Sequence, residues 1–333
     1  MTTTTHPSPQ KVMQYTFGFA ASRAQHTALE LDLFTHVHQG AHDITTLAQR
    51  CQAAERGVKM LVEALAAMEL LTFEQGKIGL TPDSEMFLVR TSPAYMGAVA
   101  THMDQAGWRW AKLTETIRSG KAPAGVESDE DDGNFFAELV QGLFAMNWPA
   151  AQMVARQVGQ VHHVLDVGAG SGVWGLAFAT AYPACQLVEV DRAQVIDRAG
   201  RPFAEKMGAL DRVEFRTGNF REVDLGQEAF EVAILGHILH SEGWDHSRTL
   251  LKRLHQALKP GGTLVVAEMI PDEDRNKNMQ ALFFGLNMLA CTDEGCVFTR
   301  SELEGLAKEA GFARVDWVED APSPSPIALF RKA

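Results

Sequence analysis

Cysteine is scarce in this 333-residue chain, and basic residues are outnumbered. Cys51, Cys185, Cys291 and Cys296 are the only four cysteines, and none of them forms a CxxC pair. Neither a zinc knuckle nor a disulfide framework is therefore supported, and no metal is expected. The nearest two, in "CTDEGC", read as reduced structural thiols. Thirty Lys and Arg stand against forty-two Asp and Glu, a formal net charge of −12. Such a field does not attract nucleic-acid phosphates or an anionic membrane, so neither is expected as a partner. The chain also lacks an eighteen-residue apolar run and an early basic-plus-apolar leader. We therefore expect a cytoplasmic protein with no membrane span. The polar opening "MTTTTHPSPQ" reads as a disordered tail over residues 1–11.

What is present fits a soluble globular chain long enough for two domains, with 46% hydrophobic and 22% charged residues. The first third is helical in pattern. "SRAQHTALELDLFTHV" puts Ala24, Ala28, Leu31 and Phe34 near helical spacing, an apolar stripe that needs a partner. "DITTLAQRC" opens on Asp43, a helix N-cap candidate. "RGVKMLVEALAAMELL" is a second amphipathic helix, and "LLTFEQGKIGLT" suggests a hairpin around Gly76. Helix, helix and hairpin outline a winged-helix-like domain over residues 12–105. Its would-be recognition helix has Arg56 and Lys59 against Glu55, Glu63 and Glu69. Those charges do not supply the phosphate contacts that precede base reading, which leaves a structural or dimerisation module. The acidic "GKAPAGVESDEDDGN", residues 120–134, reads as a solvated loop.

From residue 162 apolar strands alternate with helices: "HVLDVG", "QLVEVD", "VEFRTG", "EVAILG" and "GTLVVAEM". This pattern predicts an α/β fold with a doubly wound, mostly parallel Rossmann-like sheet, within a domain covering residues 106–333. Ligands of such sheets bind beyond the carboxyl ends of the strands. After the first strand come Gly168, Gly170, Gly172 and Gly175, where a ligand can approach the backbone and a helix N-terminus favours an anion. "GSGVWG" matches GxGxxG. Asp191 ends the second strand and can accept both hydroxyls of a ribose. Glu189, two positions earlier, points the same way, but Asp191 is nearer the strand end. Asn219 and Phe220 follow the third strand; Asn219 could bond an adenine edge, and Phe220 could pack on its face or in the core. These features suit NAD and S-adenosylmethionine alike.

"VLDVGAGSG", the Asp191 strand end and "ALKPGGTLVVAE" together resemble class I S-adenosylmethionine-dependent methyltransferases. With the winged-helix-like region and "LGHILHSEGWDHS", residues 12–332 resemble the small-molecule O-methyltransferase family of plant phenolic, acetylserotonin and bacterial enzymes. The resemblance implies S-adenosylmethionine as cofactor, S-adenosylhomocysteine as product, and a homodimer built on the N-terminal domain. It opposes the alternative, an NAD-dependent oxidoreductase. It assigns the glycine loop, including Gly168 and Gly170, to the methionine end and Asp191 to the ribose. Asn219 stands where the family commonly has Asp. Gly236 stands where many members carry a cofactor-contacting Lys, so that contact is lost or made by backbone.

Methyl transfer from a sulfonium needs alignment, worth up to about 7–11 kcal/mol, but no acid for the leaving group. A hydroxyl nucleophile must also lose a proton, and histidine suits that task near neutrality. His237, His240 and His246 cluster after the fourth strand. A metal is one reading of this cluster; the resemblance instead points to His240 as base, matching an "LHDW"-type motif. The Asp of that motif is Ser241 here, and the tryptophan appears later, as Trp244. By the same resemblance Glu268 orients His240. A second family acid is Val297 here, so Asp293 or Glu294 would have to replace it. For the substrate, "FFGLNMLA" offers Phe283, Phe284, Asn287 and Met288, and "GLFAMNWPAA" offers Phe144, Met146, Asn147 and Trp148, each also readable as core. Ser241 and Val297 keep two alternatives open: transfer to sulfur or carbon, and a non-methylating enzyme on the same scaffold.

Overall fold

The structure is a computed structural model that describes residues 7–105, 107–123 and 132–333. Residues 1–6 of the expected tail, and 124–131 of the acidic stretch, lie outside the described residues. The tail expectation is corrected at its other end, because a helix, Gln10–Thr16, already begins within it. The chain divides into two compact units, one ending at Asp104 and one running from Gln105 to Ala333.

The first unit is mostly helical. Asp43 caps the helix Ile44–Arg50 by accepting from the Thr46 N–H at 2.9 Å. The helix Glu55–Ala67 buries Val58, Val62 and Leu65, spaced to share one face. Strands β1 (Leu71–Glu74) and β2 (Lys77–Leu80) form the expected antiparallel hairpin. The long N-terminal stripe is not one helix, however. Asp32 takes a left-handed conformation (φ 50°) and splits it into Gly18–Glu30 and Leu33–His38. The apolar period continues across that break, so both helices bury residues in the same core, including Ala28, Leu33 and Phe34.

The second unit is a seven-stranded sheet. Its strands are β3 (His163–Val167), β4 (Gln186–Asp191), β5 (Val213–Thr217), β6 (Phe230–Gly236), β7 (Leu258–Ala267), β8 (Phe312–Val318) and β9 (Ile327–Lys332). They run in the order β5-β4-β3-β6-β7-β9-β8. The first five are parallel; β9 pairs antiparallel with β7 and β8. Side chains alternate between two apolar layers, as the strand period requires. Val164, Val232, Ile234 and Val265 join the layer with the helices Asp132–Val158 and Val173–Ala181. Leu165, Val167, Leu235 and Val266 join the layer with Leu239–Ala257 and Arg300–Glu309. The chain leaves β3 toward β4 and leaves β6 toward β7, on opposite sides. The crevice for a ligand therefore opens at the carboxyl ends of β3 and β6, where the winding reverses.

Candidate active site

On the β3 side, Gly168 (φ 66°) and Gly170 (φ 60°) both hold left-handed backbone, which favours glycine. A Cβ on Gly168 would sit 2.2 Å from Ile238 Cδ1. The Gly170 N–H donates to Asp191 Oδ2 at 2.7 Å, and the Arg192 N–H donates to Oδ1 at 2.7 Å. The loop and the carboxylate at the end of β4 are thus one bonded unit. Burial raises the Asp191 carboxyl above its usual range, against these two N–H bonds.

Two further acids lie beneath the loop. Asp166 accepts from the Gly175 N–H at 2.8 Å, and burial pushes it up to about 7. Glu189 is fully buried, and among the described residues neither carboxyl oxygen has a hydrogen-bond partner. Burial, and then the neighbouring Asp166 and Asp191, push its carboxyl well above the usual range. Its Oε1 occupies the space a Cβ on Gly172 would need, at 2.3 Å. Glu189 therefore supports the loop from below, and Asp191 is the acid at the rim.

Asn219 and Phe220 follow β5 as expected, and each already has a partner within the protein. The Asn219 amide oxygen accepts from the Arg221 N–H at 3.0 Å, a local turn, so that oxygen is engaged by the chain itself. Phe220 packs against the buried core. Gly236 ends β6, and a Cβ there would meet Trp174 Cδ1 at 2.4 Å. The Trp174 indole fills the space that a lysine at 236 would enter.

On the β6 side stand His240 and Glu268. His240 Nδ1 lies 2.8 Å from Glu268 Oε2. Burial works to raise the Glu268 carboxyl, but His240 and His237 together outweigh it and hold it below the usual range. An ionised carboxylate only accepts, so Nδ1 is the donor of this bond, and in the neutral tautomer that makes it, Nε2 is the acceptor. Among the described residues Nε2 has no partner. The Phe284 ring meets the His240 ring edge-on, with centroids 4.8 Å apart. The Cys296 N–H donates to the His240 carbonyl at 2.8 Å, fixing the backbone as well.

His237 turns elsewhere, with Nε2 2.8 Å from Ser325 Oγ, and burial pushes it down to about 4. The two histidines therefore do not converge, and among the described residues no group of three His, Cys, Asp or Glu could hold a metal ion. Ser241 closes its own turn by donating to the Ile238 carbonyl at 2.9 Å. Asp293 and Glu294 are exposed, and the His240 ring bonds only to Glu268 among the described residues. Trp244 packs edge-on against Phe298, centroids 5.0 Å apart.

Of the remaining candidates, Met288 is buried on the helix Met279–Cys291, one turn from Phe284. Asn287 is partly exposed on the same helix and accepts from the Trp110 indole N–H at 2.9 Å. Met146 is half-buried on the helix Asp132–Val158. Trp148 stacks on Phe144 (5.2 Å), which stacks on Phe203 (4.2 Å), so its ring is engaged in core packing.

Sequence reasoning missed the partner of Glu242, which stands two residues past the histidine. Glu242 is 2% exposed, and Arg221 grips it bidentately at 2.8 and 3.1 Å. Gly243 (φ 64°, ψ −168°) then breaks the helix, so His240 sits on a short separate turn. Its side of Gly243 is shut by the Glu294 backbone, 2.4 Å from a would-be Cβ. The signal for that break was a glycine inside an otherwise helical run.

Comparison with known proteins identifies the family. The O-methyltransferase dimerisation domain matches residues 13–90, and the O-methyltransferase domain matches residues 112–313. The chain is 30% identical to the tetracenomycin polyketide synthesis 8-O-methyl transferase TcmO of Streptomyces glaucescens, covering 100% of this chain and 99% of that protein. A crystallised candidate O-methyltransferase from Nostoc punctiforme superimposes with TM-score 0.91 at 28% identity, over 98% of this chain and 100% of that one. Human N-acetylserotonin methyltransferase in complex with SAM shares the fold with TM-score 0.86 at 23% identity, over 100% of both chains. Fold and site together define an S-adenosylmethionine-dependent methyltransferase. The chain belongs to the O-methyltransferase family. Among the described residues no helix is long and apolar enough to cross a membrane.

Proposed function

We propose that this enzyme methylates a hydroxyl of an aromatic or polyketide-like small molecule, with His240 as general base and Glu268 as its orienter. The observation that carries the reading is the 2.8 Å bond between Glu268 and His240 Nδ1, which leaves Nε2 free to take a proton. S-Adenosylmethionine supplies an activated methyl group on a sulfonium. Gly168, Gly170 and the Gly236 backbone would line its methionine end. Asp191 would take the ribose; its two oxygens keep acceptor capacity beyond the Gly170 and Arg192 bonds. Asn219 would reach the adenine through its amide N–H2 or through the remaining lone pair of its oxygen, which already accepts from the Arg221 N–H.

His240 takes the hydroxyl proton on Nε2 as the oxygen attacks, and Glu268 stabilises the resulting imidazolium. General-base help of this kind is worth about 10²–10⁴ in rate. Phe284, Met288 and Asn287 form the substrate wall of this reading, with Met146 a further candidate on the helix Asp132–Val158. The relative TcmO is named for an 8-O-methyl transfer in polyketide synthesis, which supports the acceptor class.

The reading extends to a cytoplasmic homodimer with a winged-helix-like pairing domain. Val12, Tyr15, Phe17 and Phe19 are more than half exposed in the single chain, apolar surface that a second copy would cover. All four cysteines are free thiols. The test is transfer of labelled methyl from S-adenosylmethionine to a panel of phenols, thiols and hydroxy acids. Phenols are expected to be labelled; labelling of thiols alone would overturn the hydroxyl assignment.

A further inference from the structure

The turn that carries His240 is set off from the chain on both sides. His237 before it and Gly243 after it hold left-handed backbone, at φ 63° and 64°. A left-handed residue interrupts regular structure, so neither β6 nor the helix beyond Gly243 carries its direction into the turn. Bonds to the rest of the fold must place it instead. Glu268 holds His240 through the ring Nδ1 and the backbone N–H, and the Cys296 N–H holds the His240 carbonyl. All three bonds end on one residue, so they fix its position better than the tilt of the turn. The far end is held by Glu242. Arg221 donates to both of its carboxyl oxygens, from Nε at 2.8 Å and from Nη2 at 3.1 Å. Such a fork fixes direction as well as distance. Glu242 is buried, which limits screening of the pair. The loop that carries Arg221 is itself braced, because Arg253 donates to the Phe220 and Val223 carbonyls.

We infer that Arg221 and Glu242 are positioning residues of the reaction: through their ion pair the loop after β5 sets the angle at which His240 meets the substrate hydroxyl. This inference rests on the base reading above. A base must come within about 2.6–3.2 Å of the oxygen whose proton it takes. Tilting the turn about His240 swings the ring out of that range and leaves the glycine loop and Asp191 where they are. Loss of the pair therefore impairs proton removal selectively, and not methyl transfer as such.

The test uses the full-length protein with Arg221→Met and Glu242→Leu together, which removes the pair without leaving a buried charge alone. Thermal melting checks its fold. Single-turnover methyl transfer is measured at about pH 8 on two acceptors, a phenol with a pKa of about 10, like that of tyrosine, and a phenol whose electron-withdrawing groups leave it ionised at that pH. The second has no proton to lose, so it reports transfer without the base. The double variant should slow the first phenol by about 10–10²-fold, the scale of a misplaced reacting group, and leave the second near its wild-type rate. Arg221→Lys keeps the charge but not the fork, and should show a smaller loss in the same direction. The same ratio of the two rates in wild type, Arg221→Lys and the double variant would overturn the inference. His240→Ala, run beside them, should show the same selectivity. If His240→Ala slows both phenols alike, the base reading fails and this inference falls with it. If His240→Ala is selective and the double variant is not, this inference alone fails.

Discussion

Glu268→Gln is the sharpest perturbation of the proposed base. The carboxylate is 2% exposed and accepts from His240 Nδ1 at 2.8 Å and from the His240 backbone N–H at 3.3 Å. Glutamine keeps an acceptor oxygen and the shape, so the change removes charge rather than packing. That charge matters when His240 becomes an imidazolium. Two unit charges about 4 Å apart attract by about 4 kcal/mol at an effective dielectric of 20. A loss of about 3–4 kcal/mol corresponds to about 10²–10³ in rate at 1.36 kcal/mol per tenfold. The assay is single-turnover transfer of labelled methyl with cofactor and acceptor both saturating. Glu268 makes no bond to the glycine loop, so S-adenosylhomocysteine affinity should stay within a few-fold of wild type. A Glu268→Gln enzyme within about threefold of wild-type kcat would refute the argument, because 3–4 kcal/mol cannot hide in so small a change.

Asp166→Asn should raise stability more at pH 8 than at pH 4, measured by thermal melting at both. Its folded pKa of about 7 lies above the unfolded value, so its contribution is present below about pH 4 and is lost as pH rises toward 7. Arg221→Met leaves the buried Glu242 without a partner and should cost about 3–5 kcal/mol in denaturant melts, whereas Arg221→Met with Glu242→Leu should recover most of it. Asp191→Asn should weaken S-adenosylhomocysteine binding by about tenfold to a hundredfold in calorimetry, the worth of hydrogen bonds to a charged acceptor.

The parallel strands were legible because each is a short apolar run closed by glycine or an acid, and the hairpin because Gly76 punctuates it. β8 and β9 were not, since β8 mixes buried and exposed positions without a clean period. Asp32 hid its helix break because the apolar stripe runs on past it. In the site, strand-end logic reached Asp191, and the family resemblance reached His240 and Glu268, whose close approach spans 28 residues of sequence. Partners far apart in sequence stayed invisible: Trp110 and Asn287 are 177 residues apart, and Arg221 and Glu242 are 21 apart with β6 between them. Asn219 and Trp148 have the right residue types for ligand contact. A local turn engages the oxygen of one and core stacking engages the ring of the other, and residue type alone does not reveal such competition.

The most direct test of the account is the rate of labelled methyl transfer by wild type and His240→Ala on the best phenolic acceptor, with cofactor binding measured beside it. The account predicts a fall of about 10²–10⁴ in kcat with cofactor affinity retained. A His240→Ala enzyme that transfers methyl at nearly the wild-type rate would contradict it, and would leave His240 as a wall of the pocket rather than its base.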